Sequence, residues 1–69
     1  MIFVIWFFDR EGERLRYEIC RDDESGAYVV VVTAPDGSER IERLDKPTQL
    51  IERSTEEMRQ LHDEGWKLG

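Results

Sequence analysis

The stretch Phe7-Phe8-Asp9-Arg10-Glu11-Gly12-Glu13-Arg14-Leu15 decides how this chain folds. Apolar, β-prone residues run up to Phe8, three polar residues lead to Gly12, and an alternating run starts at Arg14. A glycine in the last place suits the left-handed position of a type I turn with a bulge, a common hairpin connection. The same signature returns at Asp23-Glu24-Ser25-Gly26 and at Ala34-Pro35-Asp36-Gly37. In the last of these, Pro35 presets the backbone at the second turn position and Asp36 is a favoured turn residue.

Between the turns lie runs suited to strands: 2–8, 14–20, 28–33 and, more weakly, 39–44. Consecutive hairpins joined in this way make a meander. If each turn closes with the bulged geometry, Phe7 faces Leu15, Ile5 faces Tyr17 and Phe3 faces Ile19. Ile19 then falls beside Val31, and Val31 beside Ile41. One face collects these residues with Val29, and a one-residue slip at any turn would scatter them.

The segment 46–64 reads as a helix. Asp45 suits the cap and Pro47 the first turn, where no backbone N–H is needed. Leu50, Ile51, Ser54, Met58 and Leu61 recur at spacings of three and four, a narrow apolar stripe. Ser54-Thr55-Glu56-Glu57 has the form of a capping box, but the stripe runs through it, so one continuous helix is expected. Gly65 suits the left-handed terminator, with Trp66 folding back on Leu61. The fold class is therefore α+β. One domain over 1–69 is expected, with a four-stranded antiparallel meander and one C-terminal helix packed on one face.

Sixty-nine residues bury a modest core, about 60% of the unfolded surface. Chains this small usually need a staple or a partner. Cys20 is the only cysteine and His62 the only histidine, so neither an intrachain disulfide nor a zinc cluster is open to the chain. No cofactor is implied, and self-association is the remaining reinforcement. At 38% charged and 39% hydrophobic the balance is that of an ordered domain. A net charge of −6 disfavours phosphate backbones and anionic membranes. The opening Met1–Phe8 lacks the positive start and small-residue cleavage site of a leader, and reads as a strand in a cytoplasmic, reduced setting.

With one helix and two sheet faces, the second face is the place for function. The bulged register puts Ile2, Val4, Trp6 and Phe8 there, with Arg14, Arg16, Glu18 and Cys20, then Tyr28, Val30 and Val32, then Arg40, Glu42 and Leu44. Trp6 would sit opposite Arg16, and Phe8 opposite Arg14, as guanidinium–aromatic pairs. Ile2, Val4, Trp6, Phe8, Arg14, Arg16, Tyr28, Val30 and Val32 form the expected interface. Such a face is more apolar than a monomer leaves in water, and strand one is an edge without charge or proline to block pairing.

The expected function is a small non-catalytic interaction module, a homodimer through strand one and the open face, with another protein as a further partner for the sheet edge or that face. A single-stranded nucleic-acid surface on the Trp6/Arg16 face is the alternative, with bases stacking on aromatics. Cys20 as a nucleophile and His62 as a base have ordinary readings as strand packing and a helix-end residue. The acidic tip Asp22-Asp23-Glu24 lacks the ligand alternation of a calcium loop.

Overall fold

The computed structural model describes residues 2–69, with side chains from Val4 onward. Strands β1 (Ile2–Arg10), β2 (Glu13–Arg21), β3 (Tyr28–Thr33) and β4 (Glu39–Leu44) precede helix α1 (Pro47–Asp63) and a short β5 (Lys67–Leu68). They form one antiparallel sheet in the order β4-β3-β2-β1-β5, with α1 on one face. The α+β meander read from the sequence is the fold. The fifth strand is an addition to it.

Two of the three turns close differently from expectation, and the difference turns β1, β3 and β4 over relative to β2. Glu11 and Gly12 have φ of 51° and 80°, and Arg10 pairs with Glu13 across them. This is a two-residue turn of the type I′ class, whose twist matches that of the strands it joins. It is one residue tighter than the bulged turn. Phe8 therefore faces Leu15, Trp6 faces Tyr17 and Val4 faces Ile19, while Phe7 faces Arg16 and Ile5 faces Glu18.

The second loop holds six residues between Arg21 and Tyr28. The backbone amide of Gly26 donates to the Asp22 carbonyl at 2.8 Å, and the Asp22 amide to the Ala27 carbonyl at 2.9 Å. The Asp22 carboxylate accepts the Glu24 amide at 3.0 Å and the Ser25 hydroxyl at 2.9 Å. Those bonds hold its pKa below the usual carboxylate value. Ile19 consequently pairs with Val30 rather than Val31.

The third turn is as expected. Gly37, at φ 90°, donates to the Ala34 carbonyl, and Val31 faces Ile41.

The face that α1 covers therefore carries Val4, Trp6 and Phe8, with Leu15, Tyr17 and Ile19, then Tyr28, Val30 and Val32, and finally Leu44. Phe8, Leu15, Tyr17, Ile19, Val30, Leu44 and Trp66 are its buried core, and Leu50, Met58 and Leu61 pack on them from the helix. Trp6 and Tyr17 stack with ring centroids 5.9 Å apart.

The helix starts from Lys46 rather than Asp45. The Lys46 amide donates to Gln49 Oε1 at 3.3 Å, so the side chain at the third helical position closes the end. The helix is continuous through Ser54, whose hydroxyl donates back to the Ile51 carbonyl. Ile51, placed in the apolar stripe by its spacing, is 64% exposed, while Glu57 is buried at 5%. At the other end the Gly65 amide donates to the His62 carbonyl at 3.0 Å and Trp66 to the Leu61 carbonyl at 2.9 Å. That is the Schellman closure, and it sends Trp66 into the core.

Candidate functional site

The corrected register exchanges the contents of the two faces. Of the expected interface, Phe8 and Val30 are core residues, and Val4, Trp6, Tyr28 and Val32 pack against that core beneath the helix. Only Arg14 and Arg16 remain on the uncovered face. Ile2 lies outside the described side chains. Trp6 and Arg16 stand on opposite sides of the sheet, so the aromatic–guanidinium surface expected for a nucleic-acid strand is not assembled.

The face without a helix carries Ile5 and Phe7 from β1, Arg14, Arg16, Glu18 and Cys20 from β2, Val29, Val31 and Thr33 from β3, and Glu39, Ile41 and Arg43 from β4. Its cross-strand rows follow from the pairing. Phe7, Arg16, Thr33 and Glu39 form one row, and Ile5, Glu18, Val31 and Ile41 the next. Ile5 is 39% exposed, Phe7 38% and Ile41 65%. Apolar flanks thus border a central polar strip on β2.

That strip is internally satisfied. Arg16 Nη2 lies 3.1 Å from Glu18 Oε1. Arg14 holds Asp9 with two hydrogen bonds of 2.8 and 3.1 Å, which pull the Asp9 pKa below its usual value. The Arg14 guanidinium also sits 5.0 Å from the centre of the Phe7 ring. Arg14, Arg16, Arg43 and Lys67 stand there with Asp9, Glu18 and Glu39, so the strand residues leave the face close to neutral although the chain carries −6.

The edges differ from each other. β4 is an outer strand with charges on both sides, the usual defence against unwanted pairing. β1 is flanked by β5 at Phe8 and Asp9, and the Gly69 amide donates to the Phe7 carbonyl at 2.8 Å. A bulge breaks its register with β2 between Ile2 and Val4. The free edge foreseen for the whole of β1 is thus reduced to the short piece around Val4–Trp6. Cover for one end and a bulge at the other both discourage edge pairing.

On the helix side a charged cluster joins α1 to the sheet. Arg53 donates to Glu42 through Nε at 2.8 Å and through Nη2 at 2.9 Å, and reaches Glu56 at 2.9 Å. The forked contact lowers the Glu42 pKa and raises that of Arg53. Buried Glu57 receives Arg53 at 3.3 Å and lies 3.0 Å from Arg40. Beneath it the Tyr17 hydroxyl is fully buried without a hydrogen-bond partner. Burial first, and then the nearby Glu57 and Glu42 charges, push its pKa up to about 12.

Cys20 is half-buried on the uncovered face and His62 lies exposed on the helix, so the fold does not bring them together. Among the described residues no group of three His, Cys, Asp or Glu is placed to hold a metal ion. No helix among them is long and apolar enough to cross a membrane. Compared with protein-family models, curated proteins and solved structures, the chain matches none.

Proposed function

We propose that this chain is a non-catalytic interaction module that associates with a second copy of itself. The contact is the sheet face opposite α1, and the setting is reducing and cytoplasmic, in keeping with one unpaired Cys20. The observation that carries the reading is the uncovered row Ile5–Glu18–Val31–Ile41 beside Phe7 and Val29. There Ile5 and Phe7 on β1 and Ile41 on β4 stand more than a third exposed on the two flanks of one sheet face.

A second copy suits that face for two reasons. Its charges nearly cancel, so two copies meet there with little of the repulsion that their net charges impose elsewhere. Two sheets packed face to face sit about 10 Å apart with strands some 30° off parallel, which suits a twisted four-stranded surface. Four strands about 4.8 Å apart and 20–30 Å long present roughly 500 Å² per copy, or about 1,000 Å² for the pair, the low end of specific interfaces. The expected assembly is a reversible, concentration-dependent dimer.

Charge placed on the apolar flanks tests this. Ile41→Glu combined with Phe7→Glu is expected to keep the far-ultraviolet circular dichroism of the native chain and to sediment as a monomer at every concentration. A double variant that still dimerises like the native chain puts the contact elsewhere.

A further inference from the structure

On its uncovered side the middle strand β2 carries Arg14, Arg16, Glu18 and Cys20 in turn. The two central charges are unlike and stand in adjoining cross-strand rows. Arg16 is in the row of Phe7, Thr33 and Glu39, and Glu18 in the row of Ile5, Val31 and Ile41. The Arg16 side chain is 45% exposed. Among the described residues, its bond to Glu18 uses one of the five guanidinium donors.

Two identical faces that close on each other are related by a two-fold axis lying in the plane between them. Aligned sheet packing leaves two directions for that axis, along the strands or across them. An axis along β2 lays Arg16 on the partner's Arg16 and Glu18 on the partner's Glu18. Moved between β2 and β3, it lays Glu18 on the partner's Val31, where the carboxylate gains nothing for the water it loses. Further out, it leaves Ile5 and Phe7, or Ile41, beyond the edge of the other sheet.

An axis across the strands lays each strand on its own copy, running the other way. Centred on either row, it again stacks like charges. Centred between the two rows, at the level of Tyr17, it lays Arg16 on the partner's Glu18 and Phe7 on the partner's Ile5. One row further along, it sets Arg14 on the partner's Arg16, or Glu18 on the partner's Cys20.

With the uncovered face taken as the contact between copies, the reading on which this rests, we propose that the two sheets pack antiparallel about that central axis. Each Arg16 stands between its own Glu18 and the partner's Glu18, in a closed set of four alternating charges flanked by the apolar side chains. The packing angle of about 30° pivots on the axis and keeps these contacts. The apolar flanks supply attraction, and the charges fix the register.

Sedimentation of charge-reversed chains tests the axis. Arg16→Glu and Glu18→Arg each gather four like charges there. Each alone is expected to weaken dimerisation roughly 100-fold with the far-ultraviolet circular dichroism unchanged. Mixed one to one, the two variants put unlike charges opposite each other again and are expected to recover the dimer.

Cross-linking by a bismaleimide much shorter than β2 reads the axis independently. Cys20 lies over the partner's Arg14 and about 20 Å along the strand from the partner's Cys20. Arg14→Cys is expected to yield a covalent dimer, and the native chain none. Where the native chain dimerises, any of four results would overturn the arrangement: single variants as dimeric as the native chain, a mixture no more dimeric than its components, no link in Arg14→Cys, or a native chain linked through Cys20. A native chain that never dimerises would overturn the reading of the face itself, and this arrangement with it.

Discussion

The guanidinium of Arg10 lies 4.4 Å from the ring centre of Trp66, and its Nη1 donates to the Glu64 carbonyl at 2.9 Å. One side chain at the end of β1 therefore closes the last turn of a helix that begins 37 residues later, at Pro47. It also roofs the tryptophan that follows that helix. The neighbouring β5 pairs with Phe8 and Asp9, so the C-terminus is held to β1 by backbone and side chain together.

Arg10→Ala is expected to lower stability by about 1 kcal/mol, from a partly exposed cation–π contact and one carbonyl bond. For a chain of this size that is a fall in melting temperature of about 4–8 °C. Thermal melts followed by Trp fluorescence check it, since Trp66 reports the loosened end directly. Arg10→Lys is expected to recover part of the loss.

The first turn offers a gain. Glu11 is the one described non-glycine residue with positive φ, at 51°. Asn tolerates that conformation better than Glu, and Asn-Gly is the favoured pair in this turn. Glu11→Asn is expected to raise stability by about 0.5 kcal/mol, and Gly12→Ala, at φ 80°, to lower it by about 1 kcal/mol. Urea midpoints measure both. A bulged turn of the kind first read from the sequence would not give Glu11→Asn its gain.

That turn also explains what was legible in the sequence. Strand and helix existence, the third turn and the Schellman close at Gly65 and Trp66 follow from local chemistry, and the structure has them. The pairing registers at the first two turns do not follow. β1 has Val4, Trp6 and Phe8 on one side and Ile5 and Phe7 on the other, and β3 is a run of valines. Strands apolar on both sides carry no period-two signal, so a one-residue slip leaves the pattern equally good. Only β2, with Leu15, Tyr17 and Ile19 alternating with Arg16 and Glu18, declares its inner side. The turn alone then had to fix the register, and Glu11-Gly12 lacks the Asn or Asp that announces the tight form.

The buried Glu57 was equally hidden. Its spacing is that of a core residue and its side chain that of a surface one. What makes burial tolerable is Arg53, one helical turn before it, together with Arg40, which only the fold brings beside it from β4. Ile51 is the converse case, an apolar residue one position off the packed stripe.

The two sides of the sheet are expected to respond unequally to truncation. Trp6 packs on the core and stacks with Tyr17, so Trp6→Ala is expected to cost about 2–3 kcal/mol. Ile41 is 65% exposed, and Ile41→Ser is expected to shift stability by no more than about 0.5 kcal/mol in dilute solution. Chemical unfolding of both variants at low protein concentration checks the assignment of the faces. The reverse order would restore the register in which Ile41 faces the helix.

Tyr17 gives the chain an alkaline limit. The unfolded chain loses this proton near the ordinary value of 10.0 and the folded chain at about 12. Above pH 10 the unfolded state therefore binds fewer protons than the folded one, and stability falls as pH rises to 12. Over that window the loss is expected to reach about 2 kcal/mol, and below it the contribution is complete. Tyr17→Phe removes a buried hydroxyl without a partner. It is expected to raise stability at neutral pH by about 1 kcal/mol and to flatten this alkaline slope. Urea unfolding across the same pH range provides the comparison.

Sedimentation equilibrium of the unmodified chain over a wide concentration range bears most directly on the role given to the uncovered sheet face. The weight-average mass is expected to climb from the 8.2 kDa of one chain towards twice that value as concentration rises into the high micromolar range. A mass that stays at 8.2 kDa throughout would contradict it.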